Sequence, residues 1–330
     1  MRYVRLGATG LEVSRLFLGC GNFGGIGSAP AFYGMGESEA DAHALLDRAW
    51  DAGINALDTA DAYGGGRSEA FIGRWLAARG SSVRERIVLS TKVFNPVGPG
   101  PNERGLSRAH IVRQIDASLS RLRTDRVDLY LAHEADPGTP VEETLGAFED
   151  LVRAGKVLHA GVSNVAAWQV ERAIGIAGSR GWAAPCCVQN AYSLLERGAG
   201  REVLPLCASR GLGFTAYSPL AGGWLTGKYR SGEAFPAGSR MTLRPEPYHA
   251  FESPRVFEGL SAIEAAARAR GVDMSTLALA WVLADPRVTA AIVGPRRPSH
   301  LAQAVAALDL RLSPEEAAVV GRACDTVGEG

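Results

Sequence analysis

Eight short apolar runs rich in Val, Ile and Leu recur along the chain. They are LFLGC (16–20), INALD (54–58), IVLSTK (87–92), VDLYLAH (127–133), VLHAGVSN (157–164), CCVQN (186–190), GFTAYS (213–218) and AAIVG (290–294). Near-continuous apolar runs are the pattern of parallel strands buried on both faces. They recur about every 30–40 residues, the length of a strand-plus-helix unit. Eight such units match a closed (β/α)8 barrel, the TIM barrel, of about 250 residues plus insertions. An open doubly wound sheet is the alternative; the count of eight and the even rhythm favour the barrel.

Helix signals fall between the runs. Ser38 with Asp41 starts one helix, and Gly53 follows its end. Ser107 opens another, with Ile111, Ile115, Leu119 and Leu122 at three- and four-residue spacing. Thr139–Pro140 with Glu142 reads as a capping box with proline at the first helical position, closed by Gly155. The opening YVRLGATGLEVSRL reads as a β-hairpin around Ala8-Thr9-Gly10. Residues 219–240 hold too many Gly and Pro for a regular element, and helices resume near Ser253. Residues 312–327, with Ser313, Pro314 and Glu316 as a second capping box, predict an extra C-terminal helix. No linker interrupts 1–330, so one domain is expected.

Composition narrows the function. Lys+Arg and Asp+Glu are 35 each, and this balance offers no basic excess for nucleic acid or a membrane surface. MRYVRLGATGLEV lacks the apolar stretch of a secretory signal, and no run reaches the length of a membrane span. The five cysteines (Cys20, Cys186, Cys187, Cys207, Cys324) are odd in number and lack C-x-x-C spacing. They read as reduced thiols of a cytoplasmic protein. No His/Cys/Asp/Glu cluster has metal-ligand spacing. Nor is there a heptad run from which an oligomeric state would follow.

Residues 19–24, GCGNFG, match G-x-G-x-x-G, but GGIGSAPAFYGMGES follows instead of a helix. The next strand ends at Asp58, too far on for the acidic residue of a Rossmann site, so the motif reads as a decoy.

In a barrel the active site lies at the C-terminal ends of the strands. Asp58, Lys92 and His133 end the second, third and fourth runs, and Tyr63 stands on the loop just after Asp58, in LDTADAYGGGRSE. Adjacent strands lie roughly 5 Å apart, so these side chains converge. Singly, each has a structural explanation: a turn carboxylate, a paired lysine, a satisfied core histidine. Together they permit one chemistry. Lys92 lowers the phenol pKa of Tyr63, Asp58 neutralises and orients Lys92, and His133 donates to a substrate oxygen. That suits protonating a carbonyl oxygen as a hydride arrives at its carbon. No side chain supplies hydride, so a nicotinamide is implied. Asn164 and Gln189 can hydrogen-bond a carboxamide, and Tyr217 can stack. Two other readings keep the barrel: a Schiff-base aldolase using Lys92, and a cofactor-sensing partner subunit with little turnover.

These motifs resemble the aldo-keto reductase superfamily over nearly the whole chain, in particular its bacterial branch related to potassium-channel β-subunits. The segments are LDTADAYGGGRSE, IVLSTK, VDLYLAH, GVSN, VQNAYSLLE, AYSPLAGGWLTGKY, AAIVGPRRPSHL and RLGATGLEVSRLFLGCGNFG. The resemblance implies a catalytic tetrad of Asp58, Tyr63, Lys92 and His133, with Tyr63 as general acid. It implies reversible reduction of an aldehyde, ketone or keto-sugar by NADPH (NADP+), bound without a Rossmann fold. Ser163, Asn164 and Gln189 match the nicotinamide contacts and Tyr217 the stacking ring. Ser218, Pro219, Leu220, Gly222, Lys228 and Arg240 match the pyrophosphate loop; Gly294, Arg296 and His300 match the adenosine end. Arg296 and Arg297 suit a 2′-phosphate. Gln303-Ala304 stands where the family often has Glu-Asn at the adenine. Phe23, Phe94 and Trp224 are expected in the substrate-pocket wall.

Overall fold

A computed structural model describes residues 1–324. Eight parallel strands close into a barrel: β3 (Leu16–Gly19), β4 (Ala56–Asp58), β5 (Val88–Val93), β6 (Val127–Ala132), β7 (Val157–Ser163), β8 (Cys187–Ala191), β9 (Gly213–Tyr217) and β10 (Ala290–Val293), which returns to pair with β3. Each strand lies inside the apolar run that predicted it, give or take one residue at its end. β1 (Tyr3–Arg5) and β2 (Glu12–Ser14) form the N-terminal hairpin.

Strand periodicity sorts the side chains. Phe17, Ala56, Val88, Leu129, Leu131, Cys187, Ala290 and Ile292 share the barrel interior with Leu6 and Val13 of the hairpin, which closes one end. The hairpin turn sits so close that a Cβ on Gly7 (φ +54°) would meet the Gly213 backbone nitrogen at 2.4 Å. The alternate strand residues, among them Leu57, Leu89, Tyr130, Val188 and Phe214, pack outward under the helices.

The helices are α1 (Glu39–Asp51), α2 (Arg67–Arg79), α3 (Ser81–Arg84), α4 (Arg108–Leu122), α5 (Val141–Arg153), α6 (Ala167–Arg180), α7 (Val203–Arg210), α8 (Arg240–Leu243), α9 (Pro254–Ala269), α10 (Met274–Ala284), α11 (Pro298–Ala306) and α12 (Pro314–Arg322). Ser38 and Ser107 cap α1 and α4 by accepting from the Asp41 and His110 amides, and Ser313 with Glu316 forms a complete capping box on α12. Residues 325–327 of that predicted helix lie outside the described residues. The capping box expected at α5 does not form. The Thr139 hydroxyl donates instead to Asp136 Oδ2 at 2.8 Å, and Pro140, which has no side-chain acceptor, takes the cap position. Asp136 also accepts from the Leu106 and Gly138 amides, so it gathers the local donors ahead of the helix.

The long segment between β9 and β10 builds a second core. Trp224, fully buried, packs against Tyr229, Phe235, Phe251 and Phe257 with ring centroids 5.0–6.0 Å apart. α9 and α10 complete this cluster. No helix among the described residues is long and apolar enough to cross a membrane.

Close helix contact gives a first prediction. A Cβ on Gly73 of α2 would lie 2.1 Å from the Arg121 carbonyl oxygen of α4. Gly73→Ala must push these helices apart and lose about 1–3 kcal/mol. Chemical denaturation monitored by circular dichroism will show a lower midpoint; an unchanged midpoint would mean that the helices are not so close.

Candidate active site

The inward-facing set of each strand runs up the barrel and changes from apolar to polar at the top. Ala56 is followed two residues on by Asp58, Val88 by Ser90 and then Lys92, Leu131 by His133, Cys187 by Gln189. Because side chains alternate, the residues that end the strands on that face enter one space. The strand register sets Gly19 beside Asp58, Lys92 beside Leu131, and Ser163 beside Gln189.

Lys92 is fully buried and Asp58 is 4% exposed. Lys92 Nζ donates to Asp58 Oδ2 at 2.6 Å and to the Thr59 carbonyl at 2.8 Å. Asp58 Oδ1 accepts from Gln189 Nε2 at 2.9 Å and from Ser90 Oγ at 3.3 Å. Burial opposes the lysine charge, but Asp58 and then Tyr63 outweigh it and hold Lys92 above its ordinary pKa. Its ammonium lies 5.0 Å from the centroid of the Tyr63 ring.

Tyr63 stands on a 3-10 turn, Tyr63–Gly66, in which Gly64 and Gly65 take positive φ. Its hydroxyl is 3.4 Å from His133 Nε2. The expectation that Lys92 lowers the phenol pKa is corrected here. Burial pushes Tyr63 above its ordinary value; Lys92 pulls downward without cancelling this, and Asp58 adds a further upward push. The phenol therefore keeps its proton at neutral pH. His133 is held well below its ordinary value, by burial first and by Lys92 second, so it is neutral. In the assigned amide orientation Asn95 Nδ2 donates to His133 Nδ1 at 3.0 Å. The ring proton then sits on Nε2, facing Tyr63.

Asn164 ties the fifth strand end to its neighbours. Its Nδ2 donates to the His133 carbonyl at 2.9 Å, and its Oδ1 accepts from the Tyr217 hydroxyl at 2.6 Å. Ser163 Oγ donates to the Gln189 carbonyl at 2.7 Å. Burial, with Tyr63 second, pushes the Tyr217 phenol up to about 12. Asn164, Ser218 and Ala221 all take φ near +50°, where non-glycine residues are strained, and such strain clusters at functional sites.

Asp58, Tyr63 and His133 open onto a cavity of ≈ 930 Å³. Ser163, Asn164, Gln189, Tyr217, Ser218, Pro219, Leu220, Gly222, Lys228, Arg240, Gly294, Arg296 and His300 line the same cavity. Its size suits a large small-molecule ligand. Burial, then Arg240 and Arg296, lowers the Lys228 pKa; burial, then Arg297, Lys228 and Arg296, lowers that of His300. Mutual repulsion among these groups is the condition that a phosphate relieves. A turn with positive φ at Gly222 and Gly223 lies beside them. A Cβ on Gly223 would crowd Lys228 Nζ to 2.5 Å. The donor set thus fits an anionic dinucleotide.

Three expected wall residues are elsewhere. Trp224 is the centre of the second core and Phe23 is 1% exposed in the main one. Phe94 packs against that same core, and none of the three lines the cavity. Their ring size makes them more useful as packing than as wall. Gly19 and Gly21 of the decoy motif do line it, although no helix opens there. Arg297 caps α11 off the cavity wall, whereas Arg296 is on it. Sequence reasoning missed Asn95, Asn22, Glu37 and Tyr248. Asn95 had a signal, as it follows β5 by two residues. Glu37 had none: its ion pair with Arg296 spans 259 positions.

A neutral buried His133 predicts a pH dependence. Its folded pKa is depressed, so it costs nothing above about 6.5 and destabilises the fold below that value by up to about 1.4 kcal/mol per pH unit. Denaturation midpoints measured from pH 7.5 down to 5 will fall more steeply for wild type than for His133→Gln. Parallel profiles would mean that His133 titrates in the fold as it does in the unfolded chain.

The family model for the aldo/keto reductase family matches residues 15–323. An uncharacterized oxidoreductase of Bacillus subtilis, YrpG, is 41% identical over 96% of this chain and 93% of its own length. A probable voltage-gated potassium channel subunit beta of Arabidopsis thaliana is 36% identical over 94% and 92%. The L-glyceraldehyde 3-phosphate reductase of Escherichia coli K12 is 33% identical over 97% and 91%. The barrel, the four converging side chains and these matches agree: the chain belongs to the aldo/keto reductase family, which includes the oxidoreductases among these relatives.

Proposed function

We infer that the protein is a cytosolic reductase that uses NADPH to convert an aldehyde, ketone or keto-sugar carbonyl to the alcohol, reversibly. The observation that carries this reading is the meeting of Tyr63 Oη and His133 Nε2, 3.4 Å apart, in a cavity that also holds a cationic cluster. Two hydrogen-bonding groups at one point support the binding of a carbonyl oxygen there. The cationic cluster supports an anionic cofactor held beside that point. The unbridged thiols of Cys20, Cys186, Cys187 and Cys207 agree with a reducing compartment.

Each side chain then has a task. Tyr63, fully protonated at neutral pH, gives its proton to the oxygen as the carbon is reduced. Lys92 stabilises the phenolate left behind, and solvent reprotonates it. His133 donates from Nε2 to the same oxygen and orients it. Asp58 keeps Lys92 charged and in place, and Gln189 keeps Asp58 in place. The cofactor, when bound, supplies the hydride. Ser163, Asn164 and Gln189 would hold its nicotinamide amide and Tyr217 would stack on the ring. The turn from Ser218 to Gly222, with Lys228 and Arg240, would hold the pyrophosphate; Gly294, Arg296 and His300 would hold the adenosine end. An aldolase using Lys92 is disfavoured, because Lys92 is fully buried, does not line the cavity and is held charged.

Steady-state oxidation of NADPH against a panel of aldehydes, ketones and keto-sugars tests this. Tyr63→Phe is expected to lower turnover by about 10²–10⁴-fold. NADPH affinity, followed by quenching of the six tryptophans, stays at the wild-type level. Wild-type turnover in Tyr63→Phe would remove Tyr63 from the chemistry.

A further inference from the structure

Arg296 is not free in the cavity wall. Its Nε donates to Glu37 Oε1 at 3.0 Å and its Nη1 donates to the Gly238 carbonyl at 2.8 Å. The Glu37 side chain is 5% exposed and that of Arg296 is 44% exposed. Glu37 Oε2 is buried and has no hydrogen-bond partner.

Glu37 is also held from behind. Its amide donates to the Asn22 carbonyl at 2.8 Å, and its carbonyl accepts from the Gly24 amide at 2.9 Å. A Cβ on the preceding Gly36 would lie 1.9 Å from the Asn22 carbonyl oxygen, so the backbone is packed tightly against its neighbour. The backbone that carries the carboxylate is therefore fixed, and the side chain it carries is buried. The second cation near it, Arg240, is itself engaged, donating to Asn22 Oδ1 at 2.8 Å.

We propose that Glu37 is a specificity residue for the cofactor, competing with a ribose phosphate for Arg296 and so restraining the preference for NADPH over NADH. This rests on the reductase reading above. A guanidinium binds phosphate through paired N–H donors, and here part of that fork is already spent on a carboxylate. A phosphate that takes Arg296 leaves a buried carboxylate without its counter-charge. One that shares Arg296 meets a second anion in a place of low dielectric. Both outcomes cost affinity. A cofactor with a free 2′-hydroxyl brings no such charge and leaves the ion pair intact. The unpartnered Glu37 Oε2 is, in addition, an acceptor of the kind that a ribose hydroxyl uses in other dinucleotide sites.

The test is a double-mutant cycle read as dissociation constants of NADPH and NADH, by tryptophan quenching and by calorimetry. Glu37→Gln keeps the shape and removes the charge. It is expected to tighten NADPH by about tenfold, the scale of one hydrogen bond to a charged group, and to leave NADH unchanged or slightly weaker. In an Arg296→Met background the same change is expected to have no effect on the ratio, because the competition is over that guanidinium. Glu37→Ala gives the same comparison should the glutamine variant not fold. A merely structural role for Glu37 would move both affinities together and leave their ratio alone. An unchanged ratio in Glu37→Gln, or a gain that persists with Arg296→Met, would overturn the inference while leaving the reductase reading intact. Failure of the wild type to bind either nucleotide would overturn both.

Discussion

The buried ion pair between Lys92 and Asp58 is the constraint on which the rest of the site depends. Two unit charges sit at the top of the barrel, one fully buried and the other nearly so. Such a pair is tolerated only where its hydrogen bonds are complete, and removal of one partner costs about 3–5 kcal/mol. Here the remaining partners come from two strands and one loop: Ser90 on β5, Gln189 on β8, and the Thr59 carbonyl beyond β4. Gln189 in turn holds Ser163 and Asn164 through its backbone carbonyl, and Asn164 holds Tyr217. A lysine fixed for its charge thus orders the polar residues around more than half of the barrel rim.

The same pair governs the protons. Asp58 spends part of the Lys92 field, so Lys92 does not overcome the burial of Tyr63, and the phenol stays protonated. Lys92 and burial together keep His133 neutral. One ammonium thereby separates an acid that carries its proton from an imidazole that donates without carrying charge. That separation of roles between neighbouring groups is what acid–base chemistry at neutral pH requires.

Much of this was legible in the amino-acid order. Near-continuous apolar runs marked the eight strands because both faces of a barrel strand are covered. A strict period of two meant that a polar residue ending a run on the inward face had to enter the mouth, so Asp58, Lys92 and His133 could be read together. Ser38, Ser107 and Ser313 marked helix starts because the backbone amides they accept from lie only three residues on. The misreadings share a cause: competition from residues that a local window does not weigh. Asp136 took the hydroxyl of Thr139. Aromatic partners on the segment from Tyr229 to Phe257 drew Trp224 into a core of its own. Burial outweighed the lysine at Tyr63, and nothing in the sequence measures burial of one hydroxyl. Glu37 was silent because the loop that carries it meets Arg296 only after the barrel closes.

The most direct measurement is isotope transfer. The protein would be incubated with NADPH carrying deuterium at the transferable nicotinamide position and with a panel of aldehydes, ketones and keto-sugars, and the products read by mass spectrometry and NMR. The account predicts an alcohol with one deuterium on the former carbonyl carbon, formed by wild type and lost in Tyr63→Phe. Absence of deuterated alcohol across the panel, with substrate instead trapped on Lys92 by borohydride, would contradict it and make the lysine a nucleophile.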